Sequence, residues 1–329
     1  MHLPKFDYLE PETIRETCQL LKTYQGESMI IAGGSDLIVA MKQRLKTPKY
    51  LIGLKKVASL QGIAEENGEL IIGPLTTLQD LVDSATVQEK MPLLVQAARE
   101  VGSPLIRSIA TIGGNLCLDN RCRYYNQSEF WRKANQQCIK AGGRKCLITN
   151  KTDRCNATFS SDLAPALIAM EAKVTLNTPE SERIISLADF YTADSTKPNQ
   201  ASGGGMFLSK IRIPLPTQSL RGIYHKHRKR QSIDFPIVGL AGTMEFAGGV
   251  CQKAQLVLTG VGSGPIIANT AVNKLLGQRL TSELINDCAL AAATGIRPYK
   301  TDLTTPSYKR KIVQLLVAET IKVLGGISE

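Results

Sequence analysis

The stretch Ile106-Arg107-Ser108-Ile109-Ala110-Thr111-Ile112-Gly113-Gly114-Asn115 decides the fold of this 329-residue chain. It ends in a pair of glycines, with a hydroxyl side chain before the pair and an amide side chain after it. Glycine has no side chain to hold a ligand away, so the backbone N–H groups of such a turn can approach an anion closely. The segment therefore predicts a tight turn that is suited to binding an anion.

A second glycine turn, Ala32-Gly33-Gly34-Ser35-Asp36, follows an apolar segment predicted as a strand and precedes a helical pattern. Glycines between a strand and a helix allow N–H groups to converge on a diphosphate. Each turn alone is also explained as a simple chain reversal, but two of them favour a bound dinucleotide. Neither has the G-x-G-x-x-G spacing of a Rossmann fold, so a different cofactor fold is predicted.

A third segment, Ser161-Asp162-Leu163-Ala164-Pro165-Ala166-Leu167, completes an arrangement that is familiar in its order and spacing. With the two turns, it resembles the FAD-binding subunits of molybdenum hydroxylases of the xanthine dehydrogenase and carbon monoxide dehydrogenase type. The resemblance covers nearly the whole chain. It implies an α+β fold, in which an FAD-binding domain of two α/β subdomains precedes a C-terminal domain of a small antiparallel sheet plus helices.

Prolines at positions 214 and 216 mark the predicted boundary between these two domains. The FAD-binding domain is predicted over residues 1–215, with residues 117–157 inserted as a surface loop, and the C-terminal domain over 216–329. In the second domain, apolar segments on both sides of a glycine pair predict a hairpin, and helical patterns predict three helices after it.

The resemblance also implies which residues hold FAD. Backbone amides of residues 32–36 and 111–115 are expected to donate to the diphosphate, Asp162 to accept from a ribose hydroxyl, and Lys226 to lie near the flavin. No residue is expected to be catalytic, because this chain would carry electrons while a partner acts on the substrate. The predicted cofactor-binding residues are Met29, Ile30, Ile31, Ala32, Gly33, Gly34, Ser35, Asp36, Thr111, Gly113, Gly114, Asn115, Asp162 and Lys226.

Five of the eight cysteines fall within 39 residues, inside the predicted loop 117–157. Thiolates gathered in this way can hold an iron–sulfur cluster or zinc. Structural zinc sites usually pair their thiolates as C-x₂₋₄-C, and the closest pair here, Cys117 and Cys122, has four residues between its members. The wide spacing of the others favours a cluster over zinc.

The position of this loop, directly after a glycine turn, resembles the 4-hydroxybenzoyl-CoA reductases, in which the FAD subunit carries an added 4Fe-4S loop. That resemblance implies Cys122, Cys138, Cys146 and Cys155 as the cluster ligands and leaves Cys117 without an assigned role. It further implies that electrons pass from ferredoxin through the 4Fe-4S cluster and FAD to partner subunits. There 4-hydroxybenzoyl-CoA would be reductively dehydroxylated to benzoyl-CoA.

The partners implied are a large molybdopterin subunit and a small 2Fe-2S subunit, assembled as a dimer of heterotrimers. The cysteines outside the loop have apolar neighbours, so this chain is not expected to hold the 2Fe-2S clusters or molybdopterin itself. An alternative within the family is the FAD subunit of another molybdenum hydroxylase that acts on an aldehyde, a purine or carbon monoxide.

Much of the net charge of +11 surrounds the cysteines, since residues 117–157 hold nine Lys and Arg against three Asp and Glu. A second basic run spans residues 226–230. Local charge of this kind serves an anion or an acidic partner protein, and few aromatic residues accompany it, so nucleic-acid binding is not expected. A basic zinc-binding module for nucleic acid is the alternative from another class.

The chain shows no secretory signal and no apolar run long enough to cross a membrane. We therefore predict a cytoplasmic protein without a membrane partner. In that reducing compartment, clustered thiols favour a metal over disulfides.

Overall fold

The computed structural model describes residues 2–151, 153–203, 205–300 and 304–327. The outer ends of the two predicted domains, Met1 and Glu329, lie outside the described residues, as does Thr152 of the predicted loop. The strands are β1 Asp7–Leu9, β2 Ser28–Ile31, β3 Tyr50–Gly53, β4 Ile63–Glu66, β5 Glu69–Ile72, β6 Lys173–Asn177, β7 Glu182–Ser186, β8 Phe207–Pro214, β9 Arg221–His227, β10 Val238–Ala247, β11 Val250–Thr259 and β12 Ile266–Ile267.

The helices are α1 Ile14–Thr23, α2 Leu37–Lys42, α3 Leu78–Asp83, α4 Ala85–Lys90, α5 Pro92–Arg99, α6 Pro104–Arg107, α7 Ile112–Leu116, α8 Glu129–Ala134, α9 Leu163–Ala169, α10 Leu187–Phe190, α11 Asn269–Leu275, α12 Ser282–Thr294 and α13 Pro306–Gly325. Most begin at a Ser or Thr whose hydroxyl accepts an N–H of the first turn, as Thr13 does for α1 and Thr281 for α12.

The N-terminal unit is a parallel sheet of three strands in the order β1-β3-β2. Helix α1 covers it with a buried face that includes Cys18 and Leu21. Because β2 is paired with β3 up to Ile31, opposite Gly53, the chain leaves the sheet directly into the first glycine turn. The parallel sheet thus sets the position of that turn.

A second unit contains five antiparallel strands in the order β4-β5-β8-β6-β7, packed against α3, α5 and α9. Every residue of α9 is buried, which explains why its sequence is apolar on all sides. This helix also packs on β10 and β11 of the C-terminal unit. It therefore ties the second unit to the third.

The C-terminal unit is an antiparallel sheet in the order β12-β11-β10-β9, covered by α11, α12 and α13. The turn of the predicted hairpin is formed by Gly248 and Gly249, with φ angles of 58° and 78° that favour glycine. The α+β fold class predicted from the sequence is confirmed. Among the described residues no helix is long and apolar enough to cross a membrane.

Lys309, in the first turn of α13, is a buried cation that is only 3% exposed. Its Nζ donates to the carbonyl oxygen of Gly260 at 2.6 Å. Burial lowers the pKa of Lys309 from 10.5 to about 8. The unfolded chain therefore holds this proton to a higher pH than the folded chain, so the free energy of unfolding should rise as pH increases from 8 to 10.5.

We expect Lys309→Met to stabilise the protein at pH 7 by up to about 3 kcal/mol, because the variant no longer buries a charge. The advantage should shrink as the pH rises from 8 to 10.5, since folded Lys309 is already neutral in this range while the unfolded chain still holds the proton. Denaturant unfolding at pH 7 and pH 10 measures both effects, with exposed Lys311→Met as the control. Destabilisation at pH 7 would show that the hydrogen bond to Gly260 outweighs the cost of burial.

Candidate functional site

The two glycine turns lie against each other. A Cβ atom at Gly33 would stand 1.7 Å from the carbonyl oxygen of Ile109, so only glycine fits at this contact. Gly34 has a φ of 72°, which also favours glycine. The N-terminal sheet and the segment before α7 therefore meet at one place, as the cofactor prediction requires.

The first glycine turn presents free backbone N–H groups where the two turns meet. The backbone N–H groups of Gly33, Gly34, Ser35 and Asp36 have no hydrogen-bond acceptor within the described part of the chain. Converging N–H groups that lack a protein partner are suited to a diphosphate, which offers several acceptor oxygens.

The second glycine turn uses its backbone N–H groups within the protein. The four N–H groups that follow Thr111 are already bound within the chain: Ile112 to Thr76 O at 3.0 Å, Gly113 to Pro74 O at 2.9 Å, Gly114 to Thr111 Oγ1 at 3.1 Å and Asn115 to Thr111 O at 3.0 Å. These four amides have acceptors within the protein, and their donation to a diphosphate stays a prediction. The physical reason for these bonds is that the turn is the first turn of α7, capped by Thr111 and packed on Pro74.

Asn115 positions the next predicted segment. Its Oδ1 accepts from Ser161 Oγ at 2.7 Å and from the N–H of Leu163 at 3.3 Å. Ser161 Oγ in turn accepts from the N–H of Ala164 at 3.0 Å and so caps α9. The second glycine turn thus fixes the start of α9, where Asp162 lies.

Asp162 and Lys226, predicted separately, come together as a buried ion pair. Lys226 Nζ lies 2.9 Å from Asp162 Oδ2, and these side chains are 1% and 5% exposed. Tyr224 donates its hydroxyl to Asp162 Oδ1 at 2.7 Å, and Lys226 also donates to Glu100 O at 2.8 Å. Each carboxylate oxygen accepts from one protein donor, and the predicted bond from Asp162 to a ribose hydroxyl stays a prediction.

The electrostatics of this pair follow from its burial. Desolvation raises the pKa of Asp162, although Lys226 and Tyr224 both act to lower it. The pKa of Tyr224 is raised well above its usual value by burial and by the adjacent carboxylate. Because Asp162 begins α9 and Lys226 lies in β9, the pair joins the FAD-binding domain to the C-terminal sheet.

We expect Lys226→Met to lower the free energy of unfolding by about 3–5 kcal/mol, because it leaves a buried carboxylate without its cation. The double variant Asp162→Asn with Lys226→Met should recover part of that loss. Thermal unfolding of the two single variants and the double variant measures the coupling. A double variant as unstable as the sum of the single ones would contradict the ion pair.

The four predicted cluster cysteines line one small cavity: Cys122, Cys138, Cys146 and Cys155, together with Tyr125 and Lys140 among its walls. Cys138, Cys146 and Cys155 are buried, and Cys122 is partly exposed. Cys117 is exposed and is not part of the cavity. The structure therefore groups four thiols from a loop in which they are far apart in sequence.

Four thiols are a donor set that can hold either a cubane cluster or one zinc ion. Within the described ranges, no three His, Cys, Asp or Glu side chains lie close enough to bind one metal ion. The observation that favours a cluster over zinc is still the wide spacing of these cysteines in the sequence.

Hydrogen bonds prepare some of these sulfurs for the thiolate state. Burial raises the pKa of Cys146, but N–H groups of Asn156, Ile148 and Thr149 outweigh it and lower the pKa overall. Burial raises the pKa of Cys122, and backbone N–H groups oppose part of this rise. N–H···S bonds of this kind are a usual feature of iron–sulfur sites.

The cysteine loop is closed at its base and is held to the C-terminal unit. Arg121 and Thr158 exchange two backbone hydrogen bonds of 2.9 and 2.8 Å, so the loop closes at these two residues. Asn120 Nδ2, which is buried, donates to Ala157 O at 3.2 Å and to Ser263 O at 2.7 Å. The base of the loop is thus part of the packed interior.

Charged contacts connect the cysteine cavity to the first glycine turn. Arg121 Nη1 lies 3.4 Å from Asp36 Oδ1. Asp119 pairs with Lys46, just beyond α2, at 3.3 Å and with Lys140 of the cavity wall at 2.5 Å. Sequence reasoning missed these residues, although an aspartate in so basic a loop is a signal that a specific cation pair forms there.

Comparison with known proteins decides the family. The model for the FAD-binding domain in molybdopterin dehydrogenase matches residues 4–216. The model for the CO dehydrogenase flavoprotein C-terminal domain matches residues 223–324. The chain belongs to the FAD-binding family of the molybdopterin dehydrogenases.

Individual members of this family match nearly the whole chain. The carbon monoxide dehydrogenase medium chain of Afipia carboxidovorans is 27% identical over 318 residues, which cover 96% of each chain. The aldehyde oxidoreductase FAD-binding subunit of Escherichia coli K12 is 30% identical over 243 residues, covering 71% of this chain and 75% of that protein. A solved Cu,Mo-CO dehydrogenase chain shares the fold, with a TM-score of 0.83 and 24% identity over 100% of both chains.

Family membership makes this chain an FAD-binding flavoprotein subunit of the molybdenum hydroxylase type. It also removes the support for a nucleic-acid module, which rested on charge alone. None of the relatives described above is a 4-hydroxybenzoyl-CoA reductase. The narrower resemblance to those reductases therefore rests on the cysteine loop.

Proposed function

We propose that this chain holds FAD at its paired glycine turns and a 4Fe-4S cluster at Cys122, Cys138, Cys146 and Cys155, and that it transfers electrons between them. When bound, the two groups supply the redox chemistry. The protein binds them, separates them and shields them from solvent. The observation that carries this proposal is the convergence of the four thiols on one cavity beside the first glycine turn.

The first glycine turn is the part of the FAD site with unpaired donors. The free N–H groups of residues 33–36 would hold the diphosphate, with Met29 to Ala32 leading into the turn. Gly113, Gly114 and Asn115, whose backbone donors are used within the protein, would shape the opposite wall together with Thr111. Gly114 is exposed, and a Cβ there would meet only the hydroxyl of Thr111, which leaves room for a cofactor.

For the whole enzyme we propose a 4-hydroxybenzoyl-CoA reductase, in which ferredoxin supplies electrons for reductive dehydroxylation to benzoyl-CoA. The cysteine loop supports this assignment. A second candidate is the FAD subunit of a dehydrogenase for carbon monoxide, an aldehyde or a purine, favoured by what the relatives are named for. The two candidates differ in the direction of electron flow through this subunit.

The proposed partners are a large molybdopterin subunit and a small 2Fe-2S subunit, in a dimer of heterotrimers. In the described part of the chain, the cysteines outside the loop are buried among apolar residues, which supports placing the other redox groups on partners. For ferredoxin, the excess of Arg and Lys in residues 117–157 offers an attractive surface. Phe130 on α8, 83% exposed, gives this surface an apolar contact point.

The complex purified under anaerobic conditions should contain about one FAD and about four iron atoms attributable to this subunit. Reduced ferredoxin should then drive loss of the hydroxyl group from 4-hydroxybenzoyl-CoA, followed as benzoyl-CoA formed. Stoichiometric zinc without iron would reject the cluster. Iron and FAD with oxidation of an aldehyde, a purine or carbon monoxide, and no reductase activity, would favour the second candidate.

A further inference from the structure

Asn156 contacts the cysteine site through its side-chain amide. It follows Cys155 in the chain and is 3% exposed. Its Nδ2 donates to Cys146 Sγ at 3.4 Å and to the carbonyl oxygen of Arg154 at 3.3 Å. A buried side-chain amide therefore touches one of the proposed cluster ligands directly.

The second acceptor fixes the orientation of this amide. Rotating it by 180° would place Oδ1 against the carbonyl oxygen of Arg154, so that two acceptors would face each other. The amide consequently directs an N–H group at the sulfur. Its Oδ1 is buried and has no hydrogen-bond partner among the described residues.

The donor to Cys146 is a side chain. Among the hydrogen bonds of the described residues, Cys146 Sγ accepts one from Asn156 Nδ2 at 3.4 Å. A side-chain donor, unlike a backbone N–H group, can be removed by a substitution.

We propose that Asn156 is a positioning residue that sets the reduction potential of the 4Fe-4S cluster through its N–H···S bond to Cys146. The inference rests on the proposed cluster. In the step concerned, an external carrier loses one electron and the cluster gains it, and no bond breaks. The added negative charge is shared with the ligand sulfurs, so an N–H donor stabilises the reduced state more than the oxidised state. Asn156 therefore raises the potential.

The test is an EPR-monitored redox titration of the anaerobically purified complex. Asn156→Leu has nearly the same size and lacks the donor. It should keep its iron and make reduction less favourable by roughly tenfold, which is about 59 mV for one electron. Asn156→Asp also lacks the N–H group and adds a negative charge, so its potential should be lower still. Asn135→Leu, at the exposed end of α8, is the matched control because Asn135 Nδ2 donates only to Trp131 O.

The outcomes separate this inference from the proposed function. Absence from the unsubstituted complex of the iron attributable to this subunit would reject the cluster itself. If the Asn156 variants retain iron and their potentials match that of the unsubstituted protein, the inference is wrong. It is also wrong if both variants lose iron, because Asn156 would then retain the cluster instead of tuning it, or if Asn135→Leu shifts the potential equally.

Discussion

Replacing any one of Cys122, Cys138, Cys146 or Cys155 by serine is expected to remove most of the iron from the anaerobically purified complex that is attributable to this subunit. Each of these thiols lines the same cavity, and a cubane cluster needs a ligand at every corner. The basic residues around the cavity would then lose the negative charge that they neutralise. Iron and acid-labile sulfide content, together with absorbance at about 400 nm, measure the loss.

Cys117→Ser is the matched control for this series. Cys117 lies in the same loop but is exposed and outside the cavity. The iron content of the Cys117→Ser variant should therefore equal that of the unsubstituted protein. FAD content should stay unchanged in all five variants, because none of the five cysteines is among the residues predicted to bind FAD. If Cys117→Ser alone abolishes the cluster, the assignment of ligands is wrong.

Gly33→Ala is expected to weaken FAD binding by roughly a hundredfold, which corresponds to about 3 kcal/mol. The added methyl group would lie 1.7 Å from the carbonyl oxygen of Ile109 and 2.7 Å from its carbonyl carbon, so the two turns must separate. Separation moves the free N–H groups of residues 33–36 away from the wall that they face. FAD retained after gel filtration, measured by absorbance at about 450 nm, reports the effect.

Substitutions at two other glycines serve as comparisons for this test. At Gly264 a Cβ would meet nothing nearer than Tyr191 Cβ at 4.0 Å, so Gly264→Ala should keep its FAD. At Gly114 a Cβ would be 3.1 Å from Thr111 Oγ1 with no backbone atom close by. Gly114→Ala should therefore leave the stability of the FAD-free protein unchanged while FAD affinity falls. Normal FAD content in Gly33→Ala would show that the turns do not form the site.

Several features of the fold could be predicted from local sequence. The hairpin of β10 and β11 follows from two apolar segments around Gly248 and Gly249, because that pair accepts the positive φ angles of the turn. The last helix, α13, follows from a helical pattern between Pro306 and Gly326. The pattern after the first glycine turn predicts a helix over residues 36–46, but in the structure this helix ends at Lys42. Beyond it, the carbonyl oxygens of Gln43 and Arg44 accept hydrogen bonds from Arg132 of the cysteine loop.

The sequence also indicates the chemical character of the candidate site, but it does not predict which of its side chains pair with each other. Asp162 and Lys226 were each singled out as cofactor residues, and the structure pairs them with each other. Their 64-residue separation is closed only when α9 packs on the C-terminal sheet. No local sequence pattern predicts such a contact.

The sequence by itself determined where glycine is needed, which residues carry thiols and which family the chain resembles, because these are properties of short segments and their order. The tertiary structure decided which donors remain free. It uses the amides of the second glycine turn inside the protein and leaves those of the first turn unpaired. It also brings four distant thiols to one cavity and excludes Cys117. Burial and hydrogen-bond satisfaction depend on contacts between remote segments, so only the folded chain can assign them.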